Sequence, residues 1–139
     1  IGRPDAASWK RVELKGADLS FRGPGGAAIG LQSTCGRPVA SAELMARHLV
    51  IGFRERELVA AAPVEVDGGS GWSQTFDARQ TGASARVKTV TRVAGRCSFD
   101  WVLVTRGPDP AAEAAFDGWW AGFRLDPQQR AEAMGRPAT

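Results

Sequence analysis

The sequence predicts an α+β domain: a mainly antiparallel sheet of about six to seven strands with two packed helices, in an α-β-α sandwich-like arrangement. Three observations predict it. Alternating apolar and polar segments recur along the chain and are joined by hairpin-length turns. Two segments, about 40–55 and 109–124, instead carry apolar residues at helical spacing. Two cysteines, Cys35 and Cys97, each fall on the apolar side of a strand-like segment.

Taken in order, residues 1–7 are polar and expected to fray. From Trp9 to Leu14 the chain alternates, with Val12 and Leu14 opposite Arg11 and Glu13. Lys15-Gly16-Ala17-Asp18 reads as a turn, after which Leu19 and Phe21 resume the alternation. Gly23-Pro24-Gly25-Gly26 breaks it again and reads as a hairpin turn. Ala27, Ile29, Leu31, Ser33 and Cys35 then share one strand face. Ser41 is placed as the N-cap of the first helix, whose stripe is Ala42, Met45, Ala46, Leu49 and Phe53. Leu58, Ala60, Ala62, Val64 and Val66 alternate with Glu57 and Glu65, and Asp67-Gly68-Gly69-Ser70-Gly71 has hairpin composition. Trp72, Phe76 and Ala78 share a face. In the next strand Ala85, Val87, Thr89, Thr91 and Val93 oppose Arg86, Lys88 and Arg92. The strand of Cys97, Phe99, Trp101 and Leu103 also has Val102 and Val104 on its other side. Apolar residues on both faces place it centrally in the sheet. Asp109-Pro110 opens the last helix as N-cap and first helical residue. Its stripe is Ala112, Phe116, Trp119, Trp120 and Phe123, and a polar tail follows Asp126. Single-sided alternation elsewhere suggests that one sheet face stays partly wet.

The 139 residues suit one domain, 1–139, with an ordered core over about 8–125. A hydrophobic fraction of 43% and 5 tryptophans describe a folded globule, not a disordered tail. The formal charge of +3 is too small to argue for a polyanionic partner, so nucleic acid is disfavoured. No run of about 18 apolar residues exists to form a membrane-spanning helix. Two distant cysteines and one histidine do not make a metal site, and no cofactor is implied. The cysteines admit one intramolecular pairing, and a structural disulfide belongs to an oxidising compartment. With Ile1 in place of an initiator methionine, this suggests an exported protein, periplasmic or held at a membrane by a lipoprotein signal since removed.

Several constellations invite a chemical reading. His48, on the first helix, and Asp100, interrupting an apolar strand, would make a hydrolase only if they shared a cleft. The ordinary role for His48 is a helix-surface residue, and for Asp100 a buried hydrogen bond or a salt bridge to a strand arginine such as Arg92. Asp77 and Asp100 lie on different strands, and nothing fixes their separation as glycosidase chemistry requires. The Gly23–Gly26 loop is followed by a strand, not a helix, so it does not cradle phosphate. No residue is therefore assigned a catalytic role. Arg86, Lys88 and Arg92 form a basic stripe, extended by Arg79, that would suit an acidic protein or lipid headgroups as well as single-stranded nucleic acid. Its default role is a solvated sheet face. Trp119 and Trp120 are about 100° apart on the helix, so one points away from the core and is a second candidate contact.

The element order resembles the Mog1/PsbP-like α-β-α sandwich. The early element Leu19-Ser20-Phe21-Arg22-Gly23-Pro24 precedes a strand and a helix, then antiparallel strands, then the aromatic helix Phe116–Phe123. The layout is also similar to small exported lipoprotein domains of bacteria. The resemblance covers about residues 8–125 and implies a non-enzymatic accessory or binding protein, with no functional residue carried over. The expected function is a non-catalytic exported domain that binds a protein or a cell-envelope component. Its alternative is a carrier or sensor of a small apolar ligand held between the aromatic helix and the sheet.

Overall fold

The computed structural model describes residues 8–13, 17–36, 55–80 and 83–124. In chain order these give β1 (Lys10–Arg11), β2 (Leu19–Arg22), a 3-10 turn (Pro24–Gly26), β3 (Ala28–Cys35), β4 (Glu55–Val66), β5 (Gly69–Gln80), β6 (Ala83–Ala94), β7 (Cys97–Thr105) and α1 (Pro110–Ala121). The strands form one sheet in the order β1-β2-β3-β7-β6-β5-β4, and every neighbouring pair is antiparallel. β7 lies in the middle, as its two apolar faces require. Predicted helix 40–55 lies outside the described residues except for Glu55, which begins β4.

Local chemistry sets the turns. Asp67 and Gly68 adopt φ of 47° and 74°, the doubly positive pattern of a type I′ hairpin, whose twist matches that of the long β4–β5 ribbon. The Gly23–Gly26 breaker is the expected hairpin turn between β2 and β3, and it takes a short 3-10 form in which Pro24 supplies its fixed φ and Gly25 its φ of 71°. Asp109 caps α1, its Oδ1 accepting from the Ala112 N–H at 3.0 Å.

α1 lies on one face of the sheet, and the main core fills the space between them. Ile29, Leu31, Val90, Phe99, Trp101 and Leu103 meet Phe116, Trp119 and Phe123 there. Trp101 and Phe123 pack edge to face with centroids 4.9 Å apart, and Phe21 meets Trp119 in the same way at 5.6 Å. The centre of the other face is buried too. Phe76, Ala78 and Val87 cluster with Val102 and Val104, and Gln74, Thr89, Thr91, Ser98 and Asp100 are buried beside them. This face is partly wet, as expected, only toward its edges, where Gln32, Ala61 and Pro63 are exposed. Strand β6 alternates in the opposite sense to that expected: Val90 and Ala94 join the main core, and Lys88 and Arg92 share their face.

Cys35 and Cys97 form the expected disulfide. They are 62 residues apart in sequence but directly opposed on β3 and β7, with Cα atoms 4.0 Å apart. The bridge is not fully buried as expected. The apolar cover of β3 ends at Leu31, so Ser33 and Cys35 are exposed while Cys97 is buried. Closing a loop of this length removes unfolded-state entropy, so replacing both cysteines with serine should lower the unfolding free energy by up to about 4 kcal/mol. Denaturant titration of the two proteins measures the difference, and equal midpoints would show that the bridge adds nothing to the fold.

Candidate functional site

Antiparallel topology brings the start of β4, the end of β5, the start of β6 and the end of β7 to one end of the sheet. There Arg56, Glu57, Asp77, Ala78, Arg79, Ser84, Ala85, Arg106 and Gly107 line an open cleft of about 650 Å³. Its charge is unbalanced. Asp77 faces Arg86 across the β5–β6 ladder and receives a two-pronged ion pair, Nε to Oδ1 at 3.0 Å and Nη2 to Oδ2 at 3.3 Å. The Arg86 hydrogen bond holds the Asp77 carboxyl below the usual carboxylate range. With Asp77 neutralised, Glu57 remains against Arg56, Arg79 and Arg106. Arg79 and Arg106 are exposed and make no ion pair among the described residues. The Arg106 guanidinium sits beside Gly26, in the β2–β3 turn. Such a surface suits a carboxylate or other oxyanion, which arginine can grip in two places at once.

The expected basic stripe is differently employed. Lys88 is covered by α1 and donates to Asp117 Oδ1 at 2.8 Å and Glu113 Oε1 at 3.1 Å. Burial pulls the Lys88 ammonium down, but the two carboxylates outweigh it and hold the group above its ordinary value. Arg92 is buried. Its Nε donates to the Val66 carbonyl at 3.0 Å, its Nη1 to that of Val93, and burial lowers its pKa against the pull of Asp67. A Cβ on Gly69 would collide with this guanidinium, so the glycine makes room for it. Arg86 is tied to Asp77, and of the sequence-predicted basic residues only Arg79 belongs to the cleft. Trp119 is in the core. Trp120 is half-buried, and its indole N–H donates to Asp117 Oδ1 at 2.9 Å. Arg106 was missed. The available signal was its place directly after the central strand, at the same sheet end as Arg79.

Asp100 faces away from Arg92, so the salt bridge considered between them does not form. Thr91, directly opposite on β6, donates to Asp100 Oδ1 at 2.8 Å. Burial pushes the Asp100 carboxyl above its ordinary value, and the Thr91 bond only partly opposes this. His48 lies outside the described residues. Among the described residues no three His, Cys, Asp or Glu side chains cluster as metal ligands. Because the folded state holds the Asp100 proton more tightly than the unfolded state, Asp100 costs stability as pH rises from the ordinary carboxylate range through the folded pKa. Asp100→Asn keeps an acceptor for Thr91 and should melt higher than the wild type near pH 7. The difference should close toward about pH 3, where the wild-type carboxyl is protonated in both states. Thermal melts across pH test this, and a lower melting point for Asp100→Asn at neutral pH would refute it.

No known protein-family model and no curated protein matches the chain. Solved structures do. A protein of unknown function from Pseudomonas aeruginosa, PA94, superposes with a TM-score of 0.62 at 16% identity, over 86% of this chain and 99% of its own. The cyanobacterial PsbP protein of Synechocystis sp. PCC 6803, CyanoP, superposes with a TM-score of 0.62 at 15% identity, over 86% of this chain and 82% of its own. At these identities the likeness is one of fold, and the fold is PsbP-like.

Proposed function

We propose that this chain is a non-catalytic binding domain of an exported protein, and that the cleft at the β4–β5–β6 end receives an acidic segment of a partner protein. The observation that carries this reading is the pair of exposed arginines, Arg79 and Arg106, beside a carboxylate already neutralised by Arg86. The Cys35–Cys97 bridge supports an oxidising compartment, hence the periplasm or the outer side of a membrane, with a lipoprotein signal as the proposed means of attachment. The fold shared with a cyanobacterial PsbP protein agrees with the accessory role that the family resemblance implies. Arg86, Lys88 and Arg92 act in this proposal from within, by fixing Asp77, α1 and the β4–β5 turn. The alternative of a small apolar ligand between helix and sheet has less support, because Phe116, Trp119 and Phe123 occupy that space.

A short glutamate-rich peptide is a direct probe. In a titration followed by amide chemical shifts, the largest changes should fall on Arg79, Ala85, Arg106 and Gly107. Arg79→Ala and Arg106→Ala should each weaken binding by roughly tenfold, the effect of losing a hydrogen bond to a charged group. Added salt should weaken it further. Shifts spread over the whole surface, or binding indifferent to both substitutions, would defeat the reading.

A further inference from the structure

The two edges of the sheet differ in a way that points to a second copy of the chain. β1, at one edge, is two residues long and consists of Lys10 and Arg11, both exposed. A short, basic strand is an ordinary defence against edge-to-edge pairing. β4, at the other edge among the described residues, runs for 12 residues and bears no charge from Leu58 to Val64. Every residue from Arg56 to Pro63 is exposed. Among the described residues, Leu58 and Val59 are the exposed large apolar side chains, at 63% and 48% exposure. A long apolar edge of this kind is a template for another strand.

The order of residues in β4 selects the occupant. Pro63 has no N–H, so its backbone faces away from β5, where it forfeits no ladder bond. Outward positions then recur at every second residue, at Ala61, Pro63 and Glu65. The ladder register shifts between Leu58 and Ala60, leaving Val59 as an extra residue. That shift moves the outward series to Leu58 and Arg56. Two copies of β4 can therefore pair antiparallel about a two-fold axis through Ala61, which faces its own counterpart. In that register Arg56 faces Glu65 of the second copy, Leu58 faces Pro63, and the same contacts repeat across the axis. Without the bulge Arg56 would point toward β5 and the two charges would not meet. Pro63 still accepts from Leu58 of the second copy although it cannot donate.

We propose that this chain forms a two-fold dimer by pairing β4 with β4 of a second copy, in the register that sets Arg56 opposite Glu65. The interface is isologous, so it closes at two copies and joins the two sheets into one. It buries Leu58 and Val59 and leaves Arg79 and Arg106 to the cleft of each copy.

Sedimentation equilibrium of the chain under non-reducing conditions tests this. The mass should rise with concentration from 14.8 kDa toward twice that value. Arg56→Glu and Glu65→Arg should each raise the dissociation constant by about tenfold, since each sets like charges face to face at both ends of the interface. The double exchange Arg56→Glu/Glu65→Arg should restore it. Leu58→Lys, at an exposed site that leaves the charged pair intact, should give a monomer with an unchanged circular dichroism spectrum. A mass fixed at 14.8 kDa up to about 1 mM overturns the proposal. So does a dimer that Leu58→Lys leaves intact, or one that the double exchange does not rescue.

Discussion

Strand β7 is the constraint on which the rest of the structure depends. It sits in the middle of the sheet order, pairs β3 on one side and β6 on the other, and buries both faces. Its odd positions, Phe99, Trp101 and Leu103, supply the floor on which α1 lies. Its even positions, Val102 and Val104, supply the second apolar cluster with Phe76 and Val87. A slip of one residue would exchange these sets and bring Asp100 under the helix against aromatic rings. Cys97 stops that slip at the first residue of the strand, since its covalent bond to Cys35 admits one register with β3.

The charged groups near this core are arranged as a consequence of it. Lys88 shares a sheet face with Trp101 because the period of two leaves no alternative, and α1 answers with Glu113 and Asp117 one turn apart on the side that meets it. A lysine under a helix is costly without partners and tolerable with two. Asp117 also receives the Trp120 indole, so one carboxylate fixes both the lysine beneath the helix and the half-buried ring above it. Arg92 is held differently, by carbonyls of the chain itself, which ties the β4–β5 turn to the central strands. Lys88 and Arg92 serve the fold for the same reason that they looked functional: they are cations at regular strand spacing.

The strands, the last helix and the disulfide were legible because their signals are local. Alternation marked β2, β3, β5 and β7, and Asp109-Pro110 marked the start of α1. The sequence misjudged what alternation means on a sheet covered on both sides. In β6 the residues Ala85, Val87, Thr89, Thr91 and Val93 look like the core face, yet Val90 and Ala94 on the other side reach the larger core. Strand period alone does not say which of two covered faces carries the helix, and that choice decides whether Lys88 is solvated or enclosed. The Cys35 end of the bridge was misplaced for a related reason, because alternation gives the face of a residue but not how far along the strand the cover extends. The cleft was half legible. Arg79 extends the basic stripe on its strand, whereas Arg106 joins the cleft through the meander topology, which only its place directly after the central strand signals.

The same topology explains why the proposed binding cleft lies at this end. An antiparallel meander of long strands must stop somewhere, and near its last ladder pairs the side chains of four elements converge. Polar residues are cheapest there, so strand ends collect arginines and carboxylates without cost to the core. What makes the cluster at β4–β6 more than a solvated rim is the way its charges are spent. Arg86 and Asp77, opposed in the ladder, satisfy each other, and that pairing takes up one of the carboxylates of the cleft. Had Arg79 faced Asp77 instead, the site would be closed on itself. The register places Arg79 between Glu55 on β4 and Ser84 on β6, and the exposed Arg79 side chain can still meet an acidic group from outside.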